Sequence, residues 1–193
     1  CIPRPCGRQV LARELCRSTG REHLGALHMG DYRGVRGTYE AIVSIEMLEA
    51  VGAEFFETFF EACDRALRPG GRLSLQVITF PDALYEAQRR GANWIQTYIF
   101  PGGLCPSLAA IEGSLHGTNL LIREASDIAP SYARTLRAWR TRFMGQRDEV
   151  RRQGFDERFI RMWEYYLALS EAGFATGLCQ DLQIVFERGR GVA

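Results

Sequence analysis

Lysine is missing from this 193-residue chain: all 24 of its basic residues are arginine. Guanidinium groups grip phosphates and carboxylates as ammonium groups cannot, but so complete an absence fits codon bias better than a chemical demand. The arginines face 23 acidic residues, for a net charge of +1. With no overall positive field, no nucleic-acid partner is expected. Long apolar runs are also missing, because Glu46, Glu49, Glu54 and Glu57 interrupt the most hydrophobic region, and nothing reaches the roughly 18 to 20 residues of a membrane span. The chain starts without Met and without the basic and apolar regions of a secretory leader. An exported origin is unsupported, and a cytoplasmic protein, soluble or peripheral to the inner face of the membrane, is expected. Histidine occurs only at 23, 28 and 116, and His23 and His28 fall on different faces of any helix, so no metal site is expected. The cysteines at 1, 6, 16, 63, 105 and 179 include no C-x-x-C pair, which favours reduced thiols over metal ligation or a disulfide framework.

The length suits one compact unit, and 46% hydrophobic with 24% charged residues is ordinary globular composition. Residues 8–19 predict a helix stopped by Gly20. Ala26 to Met29 is a candidate short strand, and Ala41 to Ile45 is an almost unbroken apolar one; strands apolar on both faces belong to parallel sheets covered by helices. Phe55, Phe59, Cys63 and Leu67 recur at steps of four, with Phe56 and Phe60 beside them, ahead of Arg68-Pro69-Gly70-Gly71. That pattern is an amphipathic helix over 54–67 closed by a turn. Arg72 to Phe80 is a third strand, and strand, helix, strand in that order calls for a doubly wound sheet. Residues 81–118 read as an irregular insertion with short helices and Asn119 to Arg123 as a strand. Two cap helices fill 131–173, one carrying Tyr132, Leu136, Trp139 and Phe143, the other Phe159, Trp163, Tyr166 and Ser170. Leu182 to Arg188 closes the chain as a strand.

In open α/β sheets, ligands bind beyond the carboxyl ends of the strands. Glu46 and Glu49 follow one such end, either as ligand anchor and acid/base partner or as solvent-facing residues at a helix entrance. Asp31 and Tyr32 follow the candidate strand at 26–29 and suit an adenine or ribose edge. Gln76 is a carboxamide inside an apolar strand, so it either completes a hydrogen-bond network or lines a site. Ser170 shares an inward-facing aromatic stripe, where its hydroxyl faces a site or bonds back to the helix. There is no G-x-S-x-G, no P-loop and no G-x-G-x-x-G.

These segments together resemble the cyclopropane-fatty-acyl-phospholipid synthase family. The likeness is carried by Asp31-Tyr32-Arg33, by Tyr39 through Gly52 (YEAIVSIEMLEAVG), by Leu67-Arg68-Pro69-Gly70-Gly71 and by Tyr98-Ile99-Phe100-Pro101-Gly102-Gly103. It continues through Tyr132 to Trp139, Phe155 to Phe159 and Gln183-Ile184-Val185-Phe186, and covers about residues 8–189. The resemblance implies an α/β fold, a Rossmann-like class I methyltransferase sheet lacking its first strand, with a helical cap insertion, and residues 1–193 as a single partial methyltransferase domain. It implies transfer of a methyl(ene) group from S-adenosyl-L-methionine to the double bond of an unsaturated phospholipid acyl chain at a membrane surface, forming a cyclopropane fatty acid. A methyl-branched product, methylation of a small soluble molecule and a non-catalytic truncated remnant are the alternatives, and a homo-oligomer stays open.

By the same resemblance, the catalytic residues are Glu49, Gln76, Tyr132 and Ser170, and the cofactor lies against Gln9, Asp31, Tyr32, Arg33 and Ile45. The family's base is a bound bicarbonate, which here would be held by Glu49, Gln76, Tyr132 and the backbone of Ile78. Two residues depart from the family: Gln76 stands where a His is usual, and Ser170 where a Cys is common. The family's first strand and glycine-rich cofactor loop would precede residue 1, and Cys1-Ile2-Pro3-Arg4-Pro5-Cys6 does not resemble the segment expected there. A chain without that loop lacks the backbone N–H groups that would cradle the cofactor. The 193-residue chain alone is therefore predicted to bind S-adenosyl-L-methionine weakly; titration calorimetry giving micromolar affinity would contradict this.

Overall fold

The computed structural model describes residues 7–190, the side chains of residues 7–9 and 22 excepted. The chain divides into two compact units between Arg36 and Gly37. The first contains α1 (Gly7–Ser18), and the expected glycine stop is present: Gly20 turns the chain at φ +64°. The stretch 26–29 is not a strand. No strand among the described residues pairs with it, and Leu27 and Met29 are 40% and 56% exposed; an extended segment without a neighbour has no ladder to join.

The second unit holds a four-stranded sheet of β1 (Tyr39–Ile45), β2 (Leu67–Thr79), β3 (Leu120–Asp127) and β4 (Gln180–Arg188), ordered β1-β2-β4-β3. β1 and β2 run parallel, as a strand–helix–strand unit demands, whereas β4 lies antiparallel to both β2 and β3. The sheet is therefore mixed, and β1 is not covered on both sides: Val43 and Ile45 are 68% and 64% exposed along its open face. All three later strands extend beyond the ranges predicted from sequence. The Arg68-Pro69-Gly70-Gly71 segment lies within the start of β2, where the register with β1 slips between Tyr39 and Ala41. Gly70 has φ +78°, and a Cβ on Gly71 would meet the Arg68 and Glu40 carbonyl oxygens at 2.8 and 3.0 Å.

The helix α2 (Phe56–Ala66) covers the other face. Its buried stripe is Phe56, Phe59, Phe60 and Cys63, while Phe55 stays 40% exposed in the short turn before it, one residue off the predicted register. Phe60 meets the Phe186 ring at 5.5 Å, over the buried Leu73, Leu75, Val77 and Ile184. The insertion supplies α3 (Asp82–Arg90), α4 (Trp94–Tyr98) and α5 (Leu108–Gly113). The cap holds α6 (Ala129–Gly145), a short α7 (Arg147–Arg152) absent from the sequence reading, and α8 (Glu157–Ala175). Glu171 of α8 receives Arg137 and Arg140 of α6 at 2.6 and 3.0 Å, locking the pair. Beneath them Ala129, Ala133, Leu136, Leu167, Phe174 and Cys179 form a core that packs against Ile78 and Phe80 at the end of β2. Truncating the fully buried Phe60 to Ala removes ring contacts on both α2 and β4, and is expected to cost about 3 to 5 kcal/mol in urea unfolding.

Candidate active site

At the end of β1 the chain turns on Glu46, which has φ +48° and is the one non-glycine residue with positive φ among those described. Strained backbone of this kind persists where the surroundings over-determine it, and here the Glu46 N–H is held by the Gln76 carbonyl at 2.9 Å. A short helical turn follows at Leu48–Ala50, pinned by the fully buried Leu48. That anchor swings Glu49 inward rather than toward solvent. Glu49 Oε1 accepts the Ile78 N–H at 2.7 Å, its backbone oxygen accepts the Leu104 N–H at 2.8 Å, and its Oε2 is buried without a partner. Burial raises the proton affinity of this carboxyl above that of an ordinary Glu, against the pull of the Ile78 bond.

Gln76 lies at the centre of a second set of bonds. Its amide donates to Glu46 Oε1 at 3.2 Å and to Asp181 Oδ2 at 3.0 Å, and its oxygen accepts from Gln183 at 3.3 Å. Tyr132, from the first turn of α6, donates its hydroxyl to the same Glu46 oxygen at 2.8 Å. Asp181 is fully buried, and its Oδ1 has no donor. Burial first, then the charges of Glu46 and Glu49, pushes its pKa up to about 7. Tyr132 is likewise held protonated by burial and by Glu46. The Tyr132 ring packs 4.8 Å from Phe174, and Tyr166 meets Trp163 at 5.5 Å and Phe100 at 5.9 Å, giving the cap several aromatic faces.

Of the residues predicted from sequence, Glu49 and Ile78 share the first set of bonds, and Gln76 and Tyr132 meet on Glu46 in the second. Ser170 is half-buried and hydrogen-bonds Tyr166. Ile45 is open at the end of β1, an apolar surface fit for an adenosine ring. Asp31 lies in the other unit with its carboxylate taken up by Arg33, from the backbone N–H at 2.9 Å and the guanidinium at 2.9 and 2.5 Å, which draws its pKa down to about 2. Tyr32 and Arg33 form the adjoining turn, and the side chain of Gln9 lies outside the described residues. Sequence reasoning weighed Glu46 without assigning it and passed over Asp181. The available signal was pairing: with Gln76 opposite Gln183, period-two alternation puts Asp181 on the same sheet face.

The bicarbonate expectation does not fit these residues. The donors assigned to it, the Ile78 N–H, the Gln76 amide and the Tyr132 hydroxyl, are all bonded to carboxyl groups of the protein itself.

Asp181 generates a pH prediction. Its folded-state pKa lies above the unfolded value of about 3.9, so the stability it contributes is full below pH 4 and lost as pH rises through 7. Asp181→Asn keeps an acceptor for Gln76 without the charge. It is expected to be about 1 to 3 kcal/mol more stable than the parent at pH 8 and to lose that advantage at pH 4, as read by denaturant unfolding at the two pH values.

Comparison with known proteins identifies the family. The chain is 47% identical over 171 residues to tuberculostearic acid methyltransferase of Mycobacterium tuberculosis, covering 88% of this chain and 40% of that protein. It is 32% identical over 185 residues to cyclopropane-fatty-acyl-phospholipid synthase of Escherichia coli, covering 94% of this chain and 45% of that one. It thus spans less than half the length of these curated relatives. The fold matches a cyclopropane synthase structure from Mycobacterium tuberculosis with a TM-score of 0.72 at 21% identity, over 91% of this chain and 67% of the other, and is that of a class I methyltransferase. The family model described as mycolic acid cyclopropane synthetase matches residues 7–184, and the chain belongs to that family.

Proposed function

We propose that the protein carrying this chain transfers a one-carbon unit from S-adenosyl-L-methionine to the double bond of an unsaturated acyl chain in a phospholipid. The observation that carries this reading is the Glu49 carboxyl, anchored on Ile78 with one oxygen left unbonded, beside the aromatic cap at the ends of two parallel strands. The cofactor supplies an electrophilic methyl group when bound. Ile45, exposed at the end of β1, lines its adenosine side. Attack by an alkene leaves positive charge on carbon, which the aromatic faces of the cap stabilise. Glu49 then holds the proton lost from that cation.

One observation favours a methyl- or methylene-branched product over the ring: the 47%-identical relative is named for a methyl transfer. Ring closure is the second reading, supported by the 32%-identical cyclopropane synthase. The acyl chain reaches the site from a membrane surface, and among the described residues no helix is long and apolar enough to cross a membrane.

The test is mass spectrometry with proton NMR of lipids from cells expressing the full-length gene product. Branched acyl chains are expected; unmodified lipids would overturn the reading. Glu49→Gln is expected to lower turnover by about 100-fold or more with cofactor affinity changed less than about threefold; unchanged turnover would make Glu49 structural.

A further inference from the structure

Among the described residues, no cation is bonded to the carboxyl groups around Gln76. The groups facing Asp181 are Glu46 and Glu49 from the turn after β1, Gln76 from β2, Asp127 from the end of β3, Tyr132 from α6 and Cys179 just before β4. All are acidic or neutral. Asp127 is itself spent on the Asp181 N–H at 3.2 Å, the Ala129 N–H at 2.9 Å and Gln180 at 3.3 Å. An added anion here would find the Gln76 amide, the Ile78 N–H and the Tyr132 hydroxyl engaged and several like charges around it. Asp181 is the deepest member, fully buried, and it holds the Gln76 amide from behind while Glu46 holds it from the front.

We propose that Asp181 is a positioning residue that, through Gln76, closes this site to bicarbonate and leaves the Glu49 carboxylate as the proton acceptor. The inference rests on the methyl-transfer reading above. In the step it describes, a C–H bond next to the cationic carbon breaks. Its electron pair stays between carbons, as an alkene or a ring bond, and the proton passes to Glu49 Oε2 and then to water. No oxidant or further reactant enters. Asp181 acts one residue removed: its carboxyl fixes the amide that fixes Glu46, and Glu46 fixes the Tyr132 hydroxyl. The carboxyl group raised toward neutral pH by its buried, acid-lined setting makes that support sensitive to pH.

The decisive experiment titrates the full-length gene product with 13C-labelled bicarbonate and follows the carbon resonance, which needs no turnover. No saturable broadening is expected up to about 10 mM, whereas millimolar binding abolished by Gln76→Ala would overturn the proposal. Turnover in carbon-dioxide-stripped buffer is expected to equal that with bicarbonate added, and stimulation of about fivefold or more would also overturn it. Asp181→Asn, which keeps an acceptor for Gln76, is expected to retain kcat, whereas Asp181→Ala, which removes it, is expected to lower kcat about tenfold, to leave the KM for the cofactor unchanged and to flatten the pH–rate profile around neutrality. A parent-like kcat and profile in Asp181→Ala would remove Asp181 from the role. If no acyl lipid is modified at all, the function reading fails, and the bicarbonate titration still decides this inference separately.

Discussion

The hydrogen bond from the Ile78 amide to Glu49 Oε1, 2.7 Å long, fixes what the rest of the site can do. It ties the turn after β1 to the end of β2, so the carboxyl ends of the two parallel strands become one rigid edge. Leu48 buries itself to make the turn, Leu104 returns from the insertion to bond the Glu49 carbonyl, and the cap core settles on Ile78 itself. Backbone–carboxylate bonds of this kind are stronger than neutral ones. Every element that bounds the site therefore refers back to one side chain, held by the short helical turn after β1 and by the end of β2.

The electrostatic character follows from what is withheld. The chain owns 24 arginines and uses two of them to clamp Glu171 between α6 and α8. Among the described residues none is bonded to Glu46, Glu49 or Asp181. Two unit charges about 4 Å apart at an effective dielectric near 20 repel by about 4 kcal/mol, more than the roughly 1 to 3 kcal/mol that a charged hydrogen bond returns. The cluster consequently keeps a proton near neutral pH, in agreement with the raised affinity of Asp181 and Glu49. Such a site favours transient positive charge and resists anions. That preference suits attack of an alkene on a methyl donor and opposes a bicarbonate cofactor.

Much of this was legible in sequence because its causes are local. The unbroken apolar run before Glu46, the steps of α2 and the stripe headed by Tyr132 all follow from periodicity, and the family likeness singled out Glu49, Ile78 and Tyr132. What stayed hidden depends on pairing across the chain. Asp181 lies 105 residues from Gln76, and only the antiparallel β2–β4 register brings them together. The run 26–29 has a strand-like composition but no neighbour among the described residues to complete it. Phe55 and Phe56 are indistinguishable by composition, and the turn at 53–55 decides which of them is buried. Replacement of a family His by Gln76 was visible; that its donors are committed to two carboxyl groups was not.

The account stands most directly on the ionisation of Glu49 as felt at Ile78. A pH titration by NMR, following the Ile78 amide proton and nitrogen shifts with the Glu49 side-chain carboxyl carbon, measures both partners of that bond at once. The two are expected to titrate together, with a midpoint above the ordinary Glu value of about 4.3, and Glu49→Gln is expected to abolish the Ile78 response. An Ile78 amide that does not change while Glu49 titrates at the ordinary value would mean that the carboxyl faces solvent, and would contradict the account.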